Sequence, residues 1–590
     1  MHSKKFDGQR APDLSARPAA RARCPARRRP AGLAATAFAA AALVAALIMT
    51  GCPSGGGGDG LTVAYAANGA TGGWVPVDTN RYDAGETVTI KQDAGNLVKG
   101  AAPLICWTTE ADGTGAFYWP GDTLKITASL TLYARFLGAG ERLFNALRTT
   151  DNTYYRTCGP LVVDDTHCQV YVEIGSGVTQ AVAQTVAAEY DAHIHNQIIG
   201  AFGAVKDVDG NGKVILLLLD IRDGYDGTGG YIAGYFDPTH MFSASTYSAS
   251  NEADMLFLDV DPSVPGDPEF NLTVAHELQH LISFSQTYLD EGDTSKRTEQ
   301  DLWINEGLSS GAEYVYSGSP SQERIDWYNA DQLGSIAYGN NFFVWDGYFE
   351  NENPNTVLDN YATVSLFFQW LRIHGGGTGI YKVILDSQER DFQAVVNATT
   401  ARFSPAISSW EVLLESWHLA NILYEESGPY GYANAFDAIT TGYTFGMPRA
   451  PAELQGEDWP FSPGEGIASE ITGDTFTPSA SGSHIHYVGI TTASGGLDTT
   501  GPYEGDVALV FNANSDNGGT EEWGHVASVA SGDSVSPLKS AAAARVRART
   551  SWKVDLPMRM GAGIPATVRA QLKQGSRGLA TPSAGTWSKK

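Results

Sequence analysis

Three kinds of hydrophobic pattern follow one another along this chain of 590 residues. Residues 61–136 carry short apolar/polar alternations separated by glycine-containing turns, which is typical of short β-strands. From about 140 to 460, apolar positions recur with the spacing of helices, interrupted by fully apolar strands. From about 465 to 530 the period returns to two. The chain is therefore predicted to be multidomain, with a small β module, an α+β domain and a small all-β carboxyl-terminal domain.

The pattern also places individual elements. Strands of the first module are expected at 61–65, 87–90, 105–108, 124–127 and 131–136. Apolar positions every four residues predict a long amphipathic helix over 178–198. Further helices are expected near 271–286, 303–316, 360–373 and 406–426. Later strands are expected at 214–219, 255–259, 485–490 and 507–511.

The first 51 residues follow a different pattern. Scattered arginines precede an apolar run at 31–49, and the sequence Thr-Gly-Cys then ends at Cys52. This resembles a bacterial lipoprotein signal, although Met49 stands where leucine is commoner. The resemblance implies a signal peptide over 1–51, a glycine-rich tether over 52–60, and an exported protein anchored in the membrane by a lipid on Cys52, facing the cell surface or the periplasm. An uncleaved signal anchor is the alternative, because the run is long enough to span a bilayer.

The chain has a net charge of −27, and this charge is distributed unevenly along the sequence. Residues 1–30 hold nine basic and two acidic side chains, and residues 537–590 hold eleven and one. The body, 31–536, holds 19 basic against 63 acidic side chains, a net charge of −44. A body that negative repels phosphate backbones, so we expect no nucleic-acid partner. The basic stretch 537–590 lacks apolar periodicity and is predicted to be a disordered tail.

Within 61–136, the sequence resembles a known module as well as a strand pattern. Asn68–Gly73, Val75–Asp78, Trp107 and Leu132–Ala134 are similar to the internalin-type B-repeat, a small β-grasp-like module of bacterial surface proteins. The resemblance implies a spacer or stalk, and we assign it no chemistry.

Three cysteines lie beyond the signal and the lipidation site. Cys158 and Cys168 flank a turn containing Gly-Pro and could close a small disulfide loop outside the cytoplasm. Cys106 lies beside Trp107 and is expected to be a buried structural thiol.

The turn at 207–212 raises a separate question about calcium. Its Asp, Asp and Asn alternate as in an EF-hand loop, which keeps a structural Ca²⁺ open as a second cofactor. However, the twelfth position is Leu218 rather than a bidentate glutamate. Asp, Asn and Gly also form plain turns, which is the preferred interpretation.

Residues 276–280 carry the clearest chemical motif. They read His-Glu-Leu-Gln-His within a segment of helical pattern, and positions i and i+4 share one helix face. His276 and His280 could therefore hold one metal ion, with Glu277 directed at a water on that ion. An ordinary amphipathic helix with two surface histidines gives the same five letters, so a third ligand is needed.

Glu306 supplies that third ligand by resemblance. It lies 26 residues after His280, in Trp303-Ile304-Asn305-Glu306-Gly307. This segment resembles the W-L-N-E-G segment of zinc aminopeptidases and, more loosely, the N-E-x-x-S segment of thermolysin-like proteases. Both are gluzincins, whose two histidines and one glutamate leave zinc a fourth position for water. The resemblance implies one Zn²⁺ per chain, held by His276, His280 and Glu306.

Two further side chains are assigned around this set. Glu313 lies seven residues after Glu306 on the same helix face and is the expected partner of a ligand histidine, while exchanged roles of the two glutamates stay open. Thermolysin-like enzymes have Asp where this chain has Ser310. The oxyanion needs a donor beyond the metal. Tyr361 occupies a place comparable to the tyrosine of zinc aminopeptidases at the start of a helix, although a core tyrosine on that helix is the alternative.

Taken together, the motifs resemble the hyicolysin-type neutral metallopeptidases. The resemblance covers about 140–450 and implies an α+β, gluzincin-type zinc peptidase domain over 140–460. It implies a zinc metalloendopeptidase that cleaves proteins or peptides, with Glu277 as general base. No G-x-M-E-N string occurs, which argues against an aminopeptidase, and residues 229–235 could form an edge strand that binds an extended peptide. A zinc aminopeptidase and a catalytically inactive surface adhesin or scaffold are the alternatives.

Overall fold

The structure is a computed structural model, and all the residues it describes belong to one compact unit, 60–590. The described residues are 60–113, 115–225, 230–290, 292, 298–330, 342–343, 355–423, 427–433, 513, 515, and the strands 466–470, 485–491, 496–498, 507–512 and 552–554. Within these ranges no helix has the length and hydrophobicity to cross a membrane. The apolar run at 31–49 and Cys52 lie outside them.

The amino-terminal module consists of seven short strands. They are β1 (Val63–Ala66), β2 (Thr87–Thr89), β3 (Val98–Lys99), β4 (Ala102–Thr108), β5 (Phe117–Tyr118), β6 (Thr123–Lys125) and β7 (Leu130–Phe136). One sheet has the order β1-β7-β4-β3 with β5 also on β4, and β2 pairs with β6. The five expected strands are present within three residues of their predicted bounds. The two that were not predicted, β3 and β5, have two residues each and carry too little pattern to detect.

A six-stranded mixed sheet forms the centre of the next part of the chain. Its strands are β8 (Glu141–Arg148), β9 (Thr153–Asp164), β10 (Cys168–Val172), β11 (Val214–Leu219), β13 (Gly234–Tyr235) and β14 (Met255–Asp259), with β12 (Gly230–Ile232) lying outside it. The order is β13-β14-β11-β10-β9-β8, in which β10, β11 and β14 run parallel. Every residue of β11 and β14 is buried, which explains why their sequences are continuously apolar rather than alternating.

Nine α-helices accompany the sheet within the described residues. They are α1 (Gln180–Glu189), α2 (His195–Phe202), α3 (Pro268–Phe284), α4 (Leu302–Ser317), α5 (Gln322–Ala330), α6 (Asn355–His374), α7 (Gly379–Leu385), α8 (Phe392–Arg402) and α9 (Trp410–Leu423). A π-helical turn, Tyr190–Ile194, separates α1 from α2, so the helix predicted over 178–198 is interrupted. The sequence did not predict α5, α7 and α8.

Local sequence fixes the start of α3, the helix that carries the histidine motif. The side chain of Asp267 accepts a hydrogen bond from the Phe270 N–H at 2.8 Å, and Pro268 occupies the first turn, where its missing N–H costs nothing. The same helix lies against the edge strand of the sheet, since Thr273 and Glu277 of α3 approach Gly234 of β13.

Packing fixes the position of α4, the helix that carries Glu306. A methyl group on Gly307 would lie 2.1 Å from the ring of Phe368, so only glycine lets α4 approach α6 this closely. Trp303 is 1% exposed and sits among aromatic rings of three other segments. These rings belong to Phe342, Phe343, Phe367, Phe368 and Trp410.

The amino-terminal module and the six-stranded sheet share a hydrophobic core. Ile105, Cys106 and Trp119 of the module pack in the same buried cluster as Phe144 of β8 and Val170 of β10. The module also has a smaller core of its own, centred on Trp107. This shared burial holds the module against its neighbour, and its role as a spacer or stalk stays a prediction.

The cysteines differ from one expectation and meet another. Cys158 and Cys168 are both buried with free thiols, so the disulfide loop is wrong. The antiparallel pairing of β9 with β10 places Asp164 opposite Gln169, and Cys158 hydrogen-bonds through its carbonyl to the Ile174 N–H, so the two cysteines lie at different heights of the hairpin. Cys106 is a buried free thiol, as predicted.

Five further strands are described towards the carboxyl end. The first four, β15 (Gly466–Glu470), β16 (Ile485–Thr491), β17 (Gly496–Asp498) and β18 (Val507–Asn512), form an antiparallel sheet in the order β15-β18-β16-β17. It contains both strands expected at 485–490 and 507–511. The fifth, β19 (Trp552–Val554), pairs in parallel with β12. The rest of 537–590, predicted to be a disordered tail, lies outside the described residues.

Candidate metal centre

The two motif histidines face the same point from neighbouring turns of α3. Their ring centroids lie 4.8 Å apart with the planes inclined at 75°. Both side chains are fully buried, so the interpretation of two surface histidines on an ordinary helix is wrong. The i, i+4 spacing therefore places two imidazoles side by side within the protein.

Glu306 on α4 lies between the two rings. Its Oε2 atom is 3.3 Å from Nε2 of His276 and 3.7 Å from Nε2 of His280. One ligand atom from each of the three residues lies within 4.8 Å of the others, and all three side chains are buried. We call His276, His280 and Glu306 the buried triad.

Glu313 holds the other nitrogen of His276. Its Oε1 atom lies 2.8 Å from Nδ1, at the place that the seven-residue spacing from Glu306 indicated. Arg324 of α5 approaches the same Oε1 at 3.5 Å and supplies a positive charge beside this carboxylate. With Nδ1 donating to Glu313, Nε2 of His276 is left as the metal-facing lone pair.

His280 is oriented by residues to which the sequence assigned no role. Its Nδ1 lies 3.1 Å from Oδ1 of Asn305 and 3.1 Å from Oγ of Ser309. Ser309 in turn donates to Oε1 of Gln279 at 2.5 Å. Asn305 directly precedes Glu306 in the motif, so its polar side chain was the available signal. Ser309 and Gln279 carried none, since polar residues on helices usually face solvent.

Glu277 is fully buried beside the edge strand of the large sheet. A methyl group on Gly234 of β13 would lie 3.3 Å from Cγ of Glu277 and 2.8 Å from Cγ2 of Thr273. Glycine at this position therefore lets the strand pass directly over the helix. An extended chain lying along this edge would run close to the Glu277 carboxylate.

Tyr361 lies on α6, a different helix from those that carry the buried triad. It is 1% exposed and stands in the second turn of α6 rather than at a helix start. The guanidinium of Arg324 stacks over its ring at 4.7 Å, and the same Arg324 contacts Glu313. Tyr361 is thus connected to His276 through two side chains, and core packing accounts for its ring.

The donor set of the buried triad fits zinc. Two imidazole nitrogens and one carboxylate oxygen are the ligands of catalytic zinc sites that keep one position open. Each imidazole has its second nitrogen held by an acceptor, as metal-ligating histidines usually do. A cation would also compensate the burial of Glu306 and Glu277, both fully inaccessible to solvent. The buried triad is therefore a candidate zinc site.

A second acidic group lies at the turn with the EF-hand-like spacing. One ligand atom each of Asp207, Asp209 and Asp254 lies within 4.8 Å of the others, and we call these residues the loop triad. Asp207 and Asp209 are exposed, while Asp254 is buried. Asp207 accepts hydrogen bonds from the N–H groups of Gly210 and Gly212, as in a plain Asx turn. Calcium binding here stays a prediction.

Comparison with known proteins places the chain near one group of enzymes. It is 30% identical over 302 residues to a protein of Staphylococcus hyicus described as neutral metalloprotease ShpI. The matched region covers 50% of this chain and 65% of that relative, so the chain spans less than two thirds of the relative's length. The homology supports a metallopeptidase. No family model matches the chain.

A shorter similarity concerns a different kind of protein. Over 73 residues the chain is 40% identical to a putative Gly-rich membrane protein of Evansella cellulosilytica. The match covers 10% of this chain and 8% of that protein, too little to indicate a shared function.

Proposed function

We propose that this chain is a zinc endopeptidase that cleaves exported or extracellular proteins and is held at the membrane by a lipid on Cys52. The observation that carries the catalytic part is the convergence of His276, His280 and Glu306 in one buried place, with Glu277 beside it. The similarity to a neutral metalloprotease over half the chain supports the same class of reaction.

Metal binding, orientation of the histidines and proton transfer are assigned to different residues of the chain. His276, His280 and Glu306 would hold the ion, while Glu313 and Asn305 fix the two rings so that each presents Nε2. Zinc bound there would polarise the scissile carbonyl and lower the pKa of an attacking water from 15.7 towards ~7. Glu277 accepts the proton of that water and delivers it to the leaving amine.

Burial strengthens these roles. The Glu277 side chain is fully buried, so the interaction of its carboxylate with a water or an amine is weakly screened. The neighbouring Arg324–Glu313 contact keeps a positive charge next to His276 without placing it among the ligand atoms. An oxyanion donor is not assigned by these contacts, and Tyr361 remains the proposal for it.

The edge of the sheet supports internal cleavage of long chains. β13 is the edge strand of the six-stranded sheet, and Gly234 passes Glu277. The preceding strand β12 already pairs with an extended segment of this chain, β19. The backbone groups of β12 are therefore oriented for main-chain pairing. An extended peptide can be bound in this way without recognition of its amino or carboxyl terminus, as an endopeptidase requires.

Side-by-side variants at the two buried glutamates test this function. Glu277→Gln is expected to keep one zinc per chain and to lower casein hydrolysis by at least ~10²-fold, because a general base is lost while the ligands remain. Glu306→Gln is expected to lose both metal and activity, since an amide is a poor zinc ligand. Near wild-type cleavage by Glu277→Gln would contradict the proposal. Membrane fractionation of Cys52→Ser tests the anchor, because release is expected only if that residue carries the lipid.

A further inference from the structure

The strand β12, which directly precedes the edge strand beside Glu277, is held by a loop outside the sheet. The backbone N–H of Ile232 in β12 donates to Oδ2 of Asp223 at 2.7 Å, and the other carboxylate oxygen of Asp223 accepts from the Tyr225 N–H at 2.8 Å. Ile232 is two residues before Gly234, which corresponds to about 7 Å of extended chain. Asp223 therefore fixes the approach of the edge to the catalytic carboxylate.

Arg222, the neighbour of Asp223, fixes that loop in the protein. Its guanidinium donates to the carbonyl of Asp220 at 2.8 Å and lies 3.6 Å from Oε1 of Glu173. Glu173 is 2% exposed and also accepts from the Asp220 N–H at 3.1 Å. The Arg222 carbonyl accepts from the Thr149 N–H at 3.1 Å. An arginine that is only 13% exposed and has these contacts can adopt few alternative positions.

The amino-terminal module completes the surroundings of Arg222. The ring of Trp119 lies under the guanidinium at 4.8 Å, and Oδ1 of Asp122 is 3.8 Å from Nε. Trp119 is 4% exposed, so this cation–π contact is shielded from water. The Asp122 carboxylate also accepts a hydrogen bond from the backbone N–H of Trp119 at 2.8 Å, which fixes the two residues relative to each other.

We propose that the amino-terminal module helps to position the peptide-binding edge. Trp119 and Asp122 position Arg222. Arg222 in turn positions the loop from which Asp223 holds β12. This proposal rests on the peptidase function and adds a determinant of substrate length. Arg222 is a positioning residue, because it acts through Asp223 and the backbone of Ile232. A long peptide would take the place of β19 along β12, whereas a short one would reach only Gly234.

Matched tryptophan substitutions test the proposal in the full chain. Trp119→Leu removes the ring under Arg222 and keeps an apolar side chain, and Trp74→Leu makes the same change at a position of the same module that is 67% exposed. Amide hydrogen exchange at Ile232 is expected to become about 3- to 30-fold faster in Trp119→Leu, the range of a shielded cation–π contact, and to stay unchanged in Trp74→Leu. This measurement needs neither zinc nor catalysis.

Kinetics supply the second measurement. In Trp119→Leu the KM for an eight-residue peptide is expected to rise by a similar factor with kcat unchanged, while the KM for a blocked dipeptide stays constant. Asp223→Asn removes one of the two carboxylate acceptors that hold the Ile232 and Tyr225 N–H groups. It is expected to raise the KM for the eight-residue peptide and not that for the dipeptide. This variant keeps the test valid if Trp119→Leu folds poorly.

Several results would overturn the proposal. Unchanged exchange at Ile232 in the folded variants would show that the module does not hold the edge. Equal increases of KM for both substrates would indicate a general structural effect instead. If the wild-type protein cleaves no peptide, the peptidase function fails, and exchange at Ile232 still decides whether the module holds β12.

Discussion

The buried triad and the loop triad both bring three potential metal ligands within 4.8 Å, yet they are built in opposite ways. The buried triad joins two helices, and its histidines are held by Glu313 and Asn305. In the loop triad, two of three carboxylates are exposed, and Asp207 is occupied by backbone N–H groups of its own turn. The difference teaches that proximity of ligand atoms is a weak criterion, and that donor type, burial and support decide what a cluster can hold.

Removal of metal is expected to give the largest difference between the buried triad and the loop triad, measured as the rate of proteolysis. A zinc-selective chelator is expected to lower proteolysis by at least ~10²-fold, because Lewis-acid stabilisation is worth several kcal/mol. Added zinc should restore the rate. A calcium-selective chelator should leave the rate unchanged, since the loop triad shares no residue with the buried triad. Equal inhibition by both chelators would mean that the loop triad also holds a required ion.

The next largest effect is expected from loss of a side chain that orients a ligand histidine of the buried triad. Glu313→Ala is expected to weaken zinc binding by about 10- to 100-fold, as loss of a partner of a ligand histidine usually does. Ser310→Ala serves as control, because the Ser310 hydroxyl is buried and has no hydrogen-bond partner among the residues that the structure describes. Zinc affinity is measured by titration against a competing chelator. If Ser310→Ala weakens zinc binding equally, the histidine is supported from that position, as in thermolysin-like proteases.

The buried member of the loop triad predicts a pH effect. Burial raises the pKa of Asp254 to about 7, against an ordinary value of 3.8. The folded state therefore keeps a proton that the unfolded state has lost, so stability falls as pH rises from about 4 through about 7. Relative to Asp254→Asn, the wild type should lose on the order of 1–3 kcal/mol of unfolding free energy between pH 5 and pH 8.

Urea midpoints of the two proteins at both pH values check this difference. Adding millimolar calcium should leave the wild-type midpoint at pH 8 unchanged. A clear rise with calcium, absent in Asp254→Asn, would show that the loop triad binds the ion as its EF-hand-like spacing suggests.

The smallest effect is expected at the exposed end of the loop triad. Asp209→Asn should change the unfolding free energy by less than about 0.5 kcal/mol, because the side chain is exposed and its hydrogen bonds are to the nearby Asn211. Zinc content and proteolysis should stay at wild-type values. Loss of zinc in this variant would contradict the separation of the two groups.

Much of the buried triad was accessible from the sequence because its residues lie on two regular helices. The i, i+4 rule places His276 beside His280, and the seven-residue spacing places Glu313 on the face of Glu306. What the sequence could not give is how α3 and α4 meet, which depends on the contact of Gly307 with Phe368. Arg324 was missed for the same reason, since it reaches Glu313 from another helix.

The fold shows the same division between local and non-local information. Continuous or alternating apolar patterns located most strands of the amino-terminal module, β11, β14 and the longer helices, whereas β8, β9 and β10 of the large sheet were not predicted. The disulfide prediction failed because Cys158 and Cys168 are close in sequence but separated by the register of a hairpin. The common core of the module and the large sheet was also beyond the sequence, because neither Cys106 nor Trp119 differs in pattern from residues that pack within one module.

The parallel pairing of β1 with β7 has a mechanical consequence. Val63 lies opposite Leu130, and Ala66 opposite Tyr133, so both strands run in the same direction. Tension applied at the amino-terminal end of β1, and resisted by the sheet that follows β7, would load all the hydrogen bonds between the two strands together, in shear. Strands loaded in this way separate only when several bonds break at once, each worth about 1 kcal/mol. A pull on the amino-terminal end would therefore reach the six-stranded sheet through the shared core before the first strand comes away.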